Sequence, residues 1–362
     1  MTTRPEDVMQ LLADARPGRL DPDGRPDPAN YTAQSVTRRR SVPRRLILAG
    51  ALPMAAAATA VALVLTGGGT DPVPAPPGSP AGPGSPGAAA TPGSARELLL
   101  VAAAQTDASA TATSGRYWVR VQEHGERKEV GRYGIASRLL IERWLASAAG
   151  DPNVEVYQNL GAAPVTAADE AAWKADGSPQ QWTETGPKGT PPIVRTTAVG
   201  PRQVRAIRGL LPMMIAGRQV TAADLAGLPS EPGALKSWLT ARLPQHADDD
   251  LFYAGRDLVA ELPVSAAVRA AAYRMLADLQ GVDFLGVVQD RQGRSGMAVA
   301  FTRRGDGGWG QQRLIVDPGT GRALAQESWF LGSAATPAGP GTLMSWTVYV
   351  RAGFTDEAAP TP

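Results

Sequence analysis

The chain has 362 residues, a formal net charge of +2 and no cysteine. The missing cysteine excludes disulfides, thiolate metal sites, a cysteine nucleophile and lipoprotein acylation. The charge balance after residue 94, 27 basic against 27 acidic side chains, excludes long-range attraction of nucleic acid or an anionic surface.

The chain opens with one short helical pattern. Pro5, Glu6 and Asp7 suit a first turn, since Pro needs no N–H there and acids favour the positive end of the helix dipole. Val8, Leu11, Leu12 and Ala15 then share one face, and Pro17-Gly18 ends the run. So short a helix is marginal alone in water. Two readings stand: a frayed tail with helical bias, or a docking helix that folds on a cytoplasmic partner. Residues 18–37 are turn-rich and expected to be disordered. Asp21, Asp23 and Gly24 echo a calcium loop, but its twelfth position would be Thr32 in place of Glu.

Leu46–Leu65 holds twenty residues and no charge. At about 1.5 Å per residue a helix of that length reaches roughly 30 Å, the thickness of a bilayer's hydrocarbon core. Arg38, Arg39, Arg40, Arg44 and Arg45 precede it, and Thr66 to Thr70 follow without a positive charge. That asymmetry puts residues 1–45 in the cytoplasm and everything from about Gly67 outside, with the arginines at lipid headgroups. The alternative is a signal peptide cleaved near Ala58 or Ala60. The 45 residues ahead of the run, and its apolar continuation through Leu65, favour a retained single-pass anchor. Residues 66–94 are a Pro/Gly/Ala linker that extends, at roughly 3.1 Å per residue, to about 85 Å.

An extracytoplasmic α+β domain is expected over 95–356, with 357–362 as a loose tail. Ser94-Ala95-Arg96-Glu97 is a capping box, and Leu98, Val101 and Ala102 begin a helix ending near Ala108. Strand patterns follow at Tyr117–Gln122, Arg138–Leu145, Val154–Asn159 and Ile193–Val199, with a helix over Thr166–Ala175. Residues 201–216 are ambiguous, because Val204, Ile207, Leu210 and Leu211 keep helical spacing. Ser230-Glu231-Pro232 starts a helix whose apolar face is Leu235, Trp238, Leu239 and Leu243. A longer helix runs from Ser265 to Gln280 with the stripe Val268, Ala271, Ala272, Met275 and Leu279, and Gly281 is placed as its left-handed C′ residue. A β-meander closes the domain: Asp283–Asp290, Met297–Arg303, Gln311–Asp317, Ala323–Leu331 and Leu343–Arg351. The alternation at Met297–Thr302 predicts a sheet with one buried face.

Candidate chemistry is sparse. Gly305 to Gly310 spells GxGxxG, but a strand follows it where a dinucleotide site needs a helix, so a hairpin loop is expected. His124 follows a strand pattern, His246 falls in a loop pattern, and neither has ligand spacing. Asp248-Asp249-Asp250 is expected to be a solvated acidic loop, with weak calcium binding as the alternative. The nucleophile elbow, the SxxK pair and the HExxH helix are absent. Trp118, Trp144, Trp329 and Trp346 are expected in the core, with a sugar or lipid groove as the alternative. No cofactor, metal or catalytic residue is predicted.

Several segments carry a resemblance. Leu228 to Leu235 (LPSEPGAL) resembles an LPTDPxAL segment, and Val268 to Arg274 with Leu279 to Val282 resembles RAALYRxLAxLPGV. Asp290 to Gly296 resembles DxxGRxG, and Ile315 to Gly321 resembles IxDPxTG. With Ala15 to Pro22 and the arginine-flanked anchor, the chain resembles an uncharacterised actinobacterial family of single-pass membrane proteins often encoded beside extracytoplasmic-function sigma factors. Gln280 stands where that family has Pro, and Ser230-Glu231 where it has Thr-Asp. The scarcity of Lys against Arg, Ala, Gly and Pro fits a GC-rich genome of that kind. The resemblance implies a non-enzymatic envelope sensor or sigma-factor-linked regulator, with a sigma factor meeting the N-terminal helix. By analogy of element order, the outer domain resembles the periplasmic lipoprotein-carrier and sigma-regulator fold, a half-barrel sheet with covering helices. The alternative function is a carrier or binder of an apolar envelope ligand, a lipid or a lipoprotein, which needs a sizeable apolar pocket against the sheet.

Overall fold

The computed structural model describes residues 91–109, 114–148, 150–184, 191–207, 213–243, 247–334 and 341–362, all within one unit, Ala89–Pro362. The expectations for Val8, Leu11, Leu12 and Ala15, for the arginine cluster and for the anchor lie outside the described residues. Among the described residues no helix is long and apolar enough to cross a membrane.

Ser94 starts the fold as its sequence predicts. Its Oγ accepts the Glu97 N–H at 3.2 Å and opens α1 (Ala95–Ala108). The Glu97 carboxylate reaches back to the Gly93 N–H (2.7 Å), one residue before the usual partner in a capping box. Three long strands follow, β1 (Tyr117–Val130), β2 (Tyr133–Ala146) and β3 (Asn153–Pro164). Next come α2 (Ala167–Ala175), the hairpin of β4 (Gln181–Glu184) and β5 (Ile193–Thr196), then β6 (Gln203–Ile207), and the hairpin of β7 (Met213–Ile215) and β8 (Arg218–Val220). The ambiguous stretch 201–216 therefore holds two strands, Gln203–Ile207 and Met213–Ile215, and no helix among its described residues. Val204 and Ile207 belong to an edge strand, where pairing with β3 overrides their helical spacing.

Four helices then run in sequence: α3 (Ala222–Ala226), α4 (Pro232–Thr240), α5 (Ala247–Ala260) and α6 (Ala266–Ala277). The meander of β9 (Val282–Gln289), β10 (Ser295–Gly305), β11 (Gly308–Val316), β12 (Ala323–Gly332) and β13 (Thr342–Thr355) completes the chain. All these strands except the two hairpins form one nine-stranded antiparallel sheet, in the order β6-β3-β2-β1-β13-β12-β11-β10-β9. Its middle is the pairing of the first strand with the last, Tyr117 opposite Thr355.

The helices cover one face. Leu98, Leu235, Phe252, Leu258, Tyr273 and Leu276 pack there with Val299, Leu314 and Val316 of the sheet. α6 is buried nearly all round, because α1, α4 and α5 surround it. It ends at the Asp278 cap, three residues before Gly281, which takes the expected positive φ (75°) in the turn into β9 instead of at C′.

The opposite face is also buried, a correction to the one-faced pattern predicted for β10. Ala298 packs there with Ile315, Ala325, Trp346 and Val348. Small alanines alternate with larger apolar residues along β10, so both faces are apolar and the strand lies inside the sheet. Tyr117, Val119, Trp144 and Val156 form a further cluster on that face, against which Ala359 packs. The residues after 356 are thus not a loose tail: Glu357 receives both Arg351 Nη atoms at 2.9 Å.

Two of the sequence motifs are fold devices. The buried Asp290 carboxylate accepts the Gln292 and Arg294 N–H groups and the Arg294 Nε (2.7 Å), while Arg294 donates to the Tyr349 and Leu324 carbonyls. The β9–β10 turn is thereby pinned to β12 and β13. In the β11–β12 turn, Asp317 accepts the Thr320 hydroxyl (2.6 Å), and the Gly321 carbonyl accepts the Tyr273 hydroxyl (2.8 Å). Gly321 has φ +70°, and a Cβ there would meet the Ala102 carbonyl at 2.5 Å, so the turn docks on α1 only with glycine.

Candidate ligand-binding site

The sheet register sets the site. Trp118 on β1 stands opposite Leu145 on β2 and Phe354 on β13. Its ring meets Phe354 edge-on, centroids 5.0 Å apart. The helix-covered face of the sheet ends here, and α3 and the start of α6 stand over it. The Thr221–Asp224 capping box fixes α3, and the Ser265 Oγ caps α6 by accepting the Val268 N–H. Between these elements lies a cavity of about 490 Å³ lined by Trp118, Leu145, Met213, Leu225, Val268 and Phe354 among others. None of its described lining residues is ionisable.

A polar network begins where the cavity ends. Trp118, Leu145 and Met213 are shared with a smaller space of about 70 Å³ lined by Arg120, Arg143 and Glu261. Arg120 and Arg143 stand directly opposite each other on β1 and β2, a like-charge pair that needs counter-ions. Glu155 on β3 holds Arg143 Nε at 2.8 Å. Burial pulls the Arg143 pKa down, and the hydrogen bond and charge of Glu155 outweigh it and raise it. Glu261, one residue past α5, accepts Arg120 Nη1 (2.7 Å), the Tyr349 hydroxyl (3.1 Å) and Gln326 Nε2 (3.3 Å). Arg120 also donates to the Glu261 carbonyl (3.1 Å), so it caps the carbonyl end of α5. Burial alone would raise the Glu261 pKa, but the Arg120 and Arg256 charges and the Tyr349 hydroxyl bring it below the ordinary value. Asp257 shifts the other way: burial raises it, Arg256 only partly offsets that, and it accepts the Ala216 N–H (2.8 Å), tying the β7–β8 turn to α5.

One polar group at the cavity is left over. Trp118 is 4% exposed, and its indole N–H has no acceptor. A buried donor of this kind is uncommon and asks for an explanation.

The sequence-predicted candidates fall elsewhere. Gly305–Gly310 is the β10–β11 hairpin, as expected, with Gly305 opposite Gly308. Trp144 and Trp346 are buried in the face away from the helices, and Trp329 is half-buried beneath the Arg313 guanidinium. His124 lies within β1, not after a strand. Its Nδ1 is 3.2 Å from the Thr347 hydroxyl, and burial lowers its pKa. His246 lies outside the described residues. Asp248, Asp249 and Asp250 are not a solvated loop but the first turn of α5, where acids suit the positive helix end and Asp249 meets Arg303 at 3.2 Å. Among the described residues no cluster of three His, Cys, Asp or Glu side chains has metal-site geometry.

Sequence reasoning missed Arg120, Glu261 and Arg269 as members of a site. Only Arg269 carried a signal, since it lies in the segment 268–274 that bears the family resemblance. Comparison of the chain with protein-family models, curated proteins and solved structures returns no match.

Proposed function

We propose that the outer domain binds an apolar ligand in the Trp118 cavity, and that residues 46–65 anchor it to the membrane with residues 1–45 in the cytoplasm. The sheet serves as the half-barrel wall of that site. The observation that carries the reading is the cavity itself, about 490 Å³ without an ionisable lining residue among those described. Apolar pockets of roughly 300–1,000 Å³ are the usual seats of small ligands. The role is binding, not catalysis: Arg120, Glu261, Arg143 and Glu155 beside the cavity are committed to one another in ion pairs.

A chain-length series tests it. Each methylene buried adds about 0.8 kcal/mol, which is about fourfold in Kd. Straight-chain alcohols from hexanol to dodecanol should tighten by about that factor per methylene until the cavity is filled. A flat series would remove the apolar-ligand reading.

A second reading, a sigma-factor-linked regulator, is favoured by the helical spacing of the apolar residues Val8, Leu11, Leu12 and Ala15. It is compatible with the first, because ligand occupancy outside is a signal for contact inside. Changing Leu11 and Leu12 together to Asp should reproduce the deletion phenotype in envelope-stress transcription. Wild-type transcription in that double variant, alongside a phenotype from loss of the outer domain, leaves the binder alone.

A further inference from the structure

Arg269 is a donor that the protein itself leaves largely unused. Arg269 projects from the first turn of α6 and stands over the Trp118 ring, 5.6 Å from its centroid. Its side chain donates to the Val264 carbonyl at 3.3 Å. Among the described residues no carboxylate lies within ion-pair distance of it, whereas Arg120, Arg127, Arg143 and Arg256 each have one. Arg269 is half-buried, so water solvates its charge only in part.

Arg269 also lines a second cavity, of about 260 Å³, beside the α6 N-terminus. Its other charged lining residue among those described is Arg322, which is exposed, and no carboxylate lines it. Thr106, Thr320 and Tyr349 add hydroxyls to the same wall. Trp118 therefore has an uncharged, mostly apolar space against it and a cation over its ring.

We infer that the ligand is a single-chain anionic amphiphile, its chain in the Trp118 cavity and its carboxylate or phosphate head held by the Arg269 guanidinium. This rests on the reading of the cavity as an apolar-ligand site. Arg322 and the positive end of α6 add favourable potential for the head. The anion supplies the counter-charge that Arg269 lacks. Charge-assisted hydrogen bonds are the stronger kind.

The test uses the full chain kept in solution by amphipol, titrated calorimetrically with dodecanol, dodecanoate and dodecyl phosphate. The expected result is that at least one anion binds about tenfold or more tighter than the alcohol. Preference for dodecanoate assigns a fatty acid, and preference for dodecyl phosphate assigns a phospholipid-type head. Arg269→Gln should bring the anions to within about twofold of dodecanol, and Arg269→Lys should restore part of their advantage. If all three bind wild-type protein equally, the anionic head is refuted and the apolar cavity stands. If none binds, both fall. The wild-type comparison decides even where a variant does not fold.

Discussion

Glu261 is the residue whose loss should cost the domain most per atom removed. Its carboxylate takes three donors, and its partner Arg120 is only 9% exposed at the side chain against 23% for Glu261 itself. Glu261→Ala leaves the Arg120 guanidinium buried beside Arg143 with no counter-ion. Breaking one half of a buried pair costs about 3–5 kcal/mol, because the remaining charge is uncompensated. With a urea m-value near 2–3 kcal/mol/M, that lowers the unfolding midpoint by roughly 1–2 M at constant m. Glu261→Gln keeps acceptors for Arg120 and Tyr349 and should lose about half as much. The double variant Arg120→Met/Glu261→Leu should recover most of the loss, since the desolvation of both charges disappears with them. The assay is urea denaturation of residues 91–362 followed by far-UV circular dichroism. A cost below about 1 kcal/mol for Glu261→Ala, the range of a solvent-screened pair, would refute the view of Glu261 as the counter-ion of a buried arginine.

Three further outcomes are expected. Residues 91–362 should unfold in one cooperative transition without the preceding segments, and truncation at Asp356 should destabilise them, because Glu357 and Ala359 dock on the sheet. Asp169 caps α2, and although burial alone would raise its pKa, hydrogen bonds from Arg127, the Gly134 N–H and Thr166 bring it from 3.8 to about 2. A depressed carboxylate stabilises above its unfolded pKa and loses that contribution as pH falls through its folded one. The difference between wild type and Asp169→Asn should thus be about 1–2 kcal/mol at pH 7, discounted for solvent screening, and vanish near pH 2. A difference independent of pH would mean that the carboxylate charge is not the cause. Finally, a Cβ on Gly125 would lie 2.1 Å from the Trp346 ring. Gly125→Ala should therefore cost about 1–3 kcal/mol and alter the near-UV tryptophan signal; an unchanged spectrum would show that the ring does not cover this glycine.

The sequence by itself determined what local chemistry controls. The Ser94 cap, the β10–β11 hairpin and the five-strand meander each rest on residues a few positions apart, and each stands where its pattern placed it. α5 was legible and misread: Leu251, Phe252, Leu258 and Val259 carry its apolar stripe, but three successive aspartates resemble a loop until their position at a helix N-terminus is known.

Only the tertiary structure decided the rest. Nothing near Tyr117 or Thr355 in the chain says that β1 and β13 meet at the centre of the sheet, because that pairing closes a loop of more than two hundred residues and is selected by the whole core. That pairing brings Phe354 to Trp118, and the packing of α5 and α6 brings Glu261 to Arg120 and Arg269 to the indole. A cavity is the space that distant segments fail to fill, and a buried donor without an acceptor is a property of its surroundings. Neither has a signature in any short stretch of sequence, and so the candidate site became visible only in the fold.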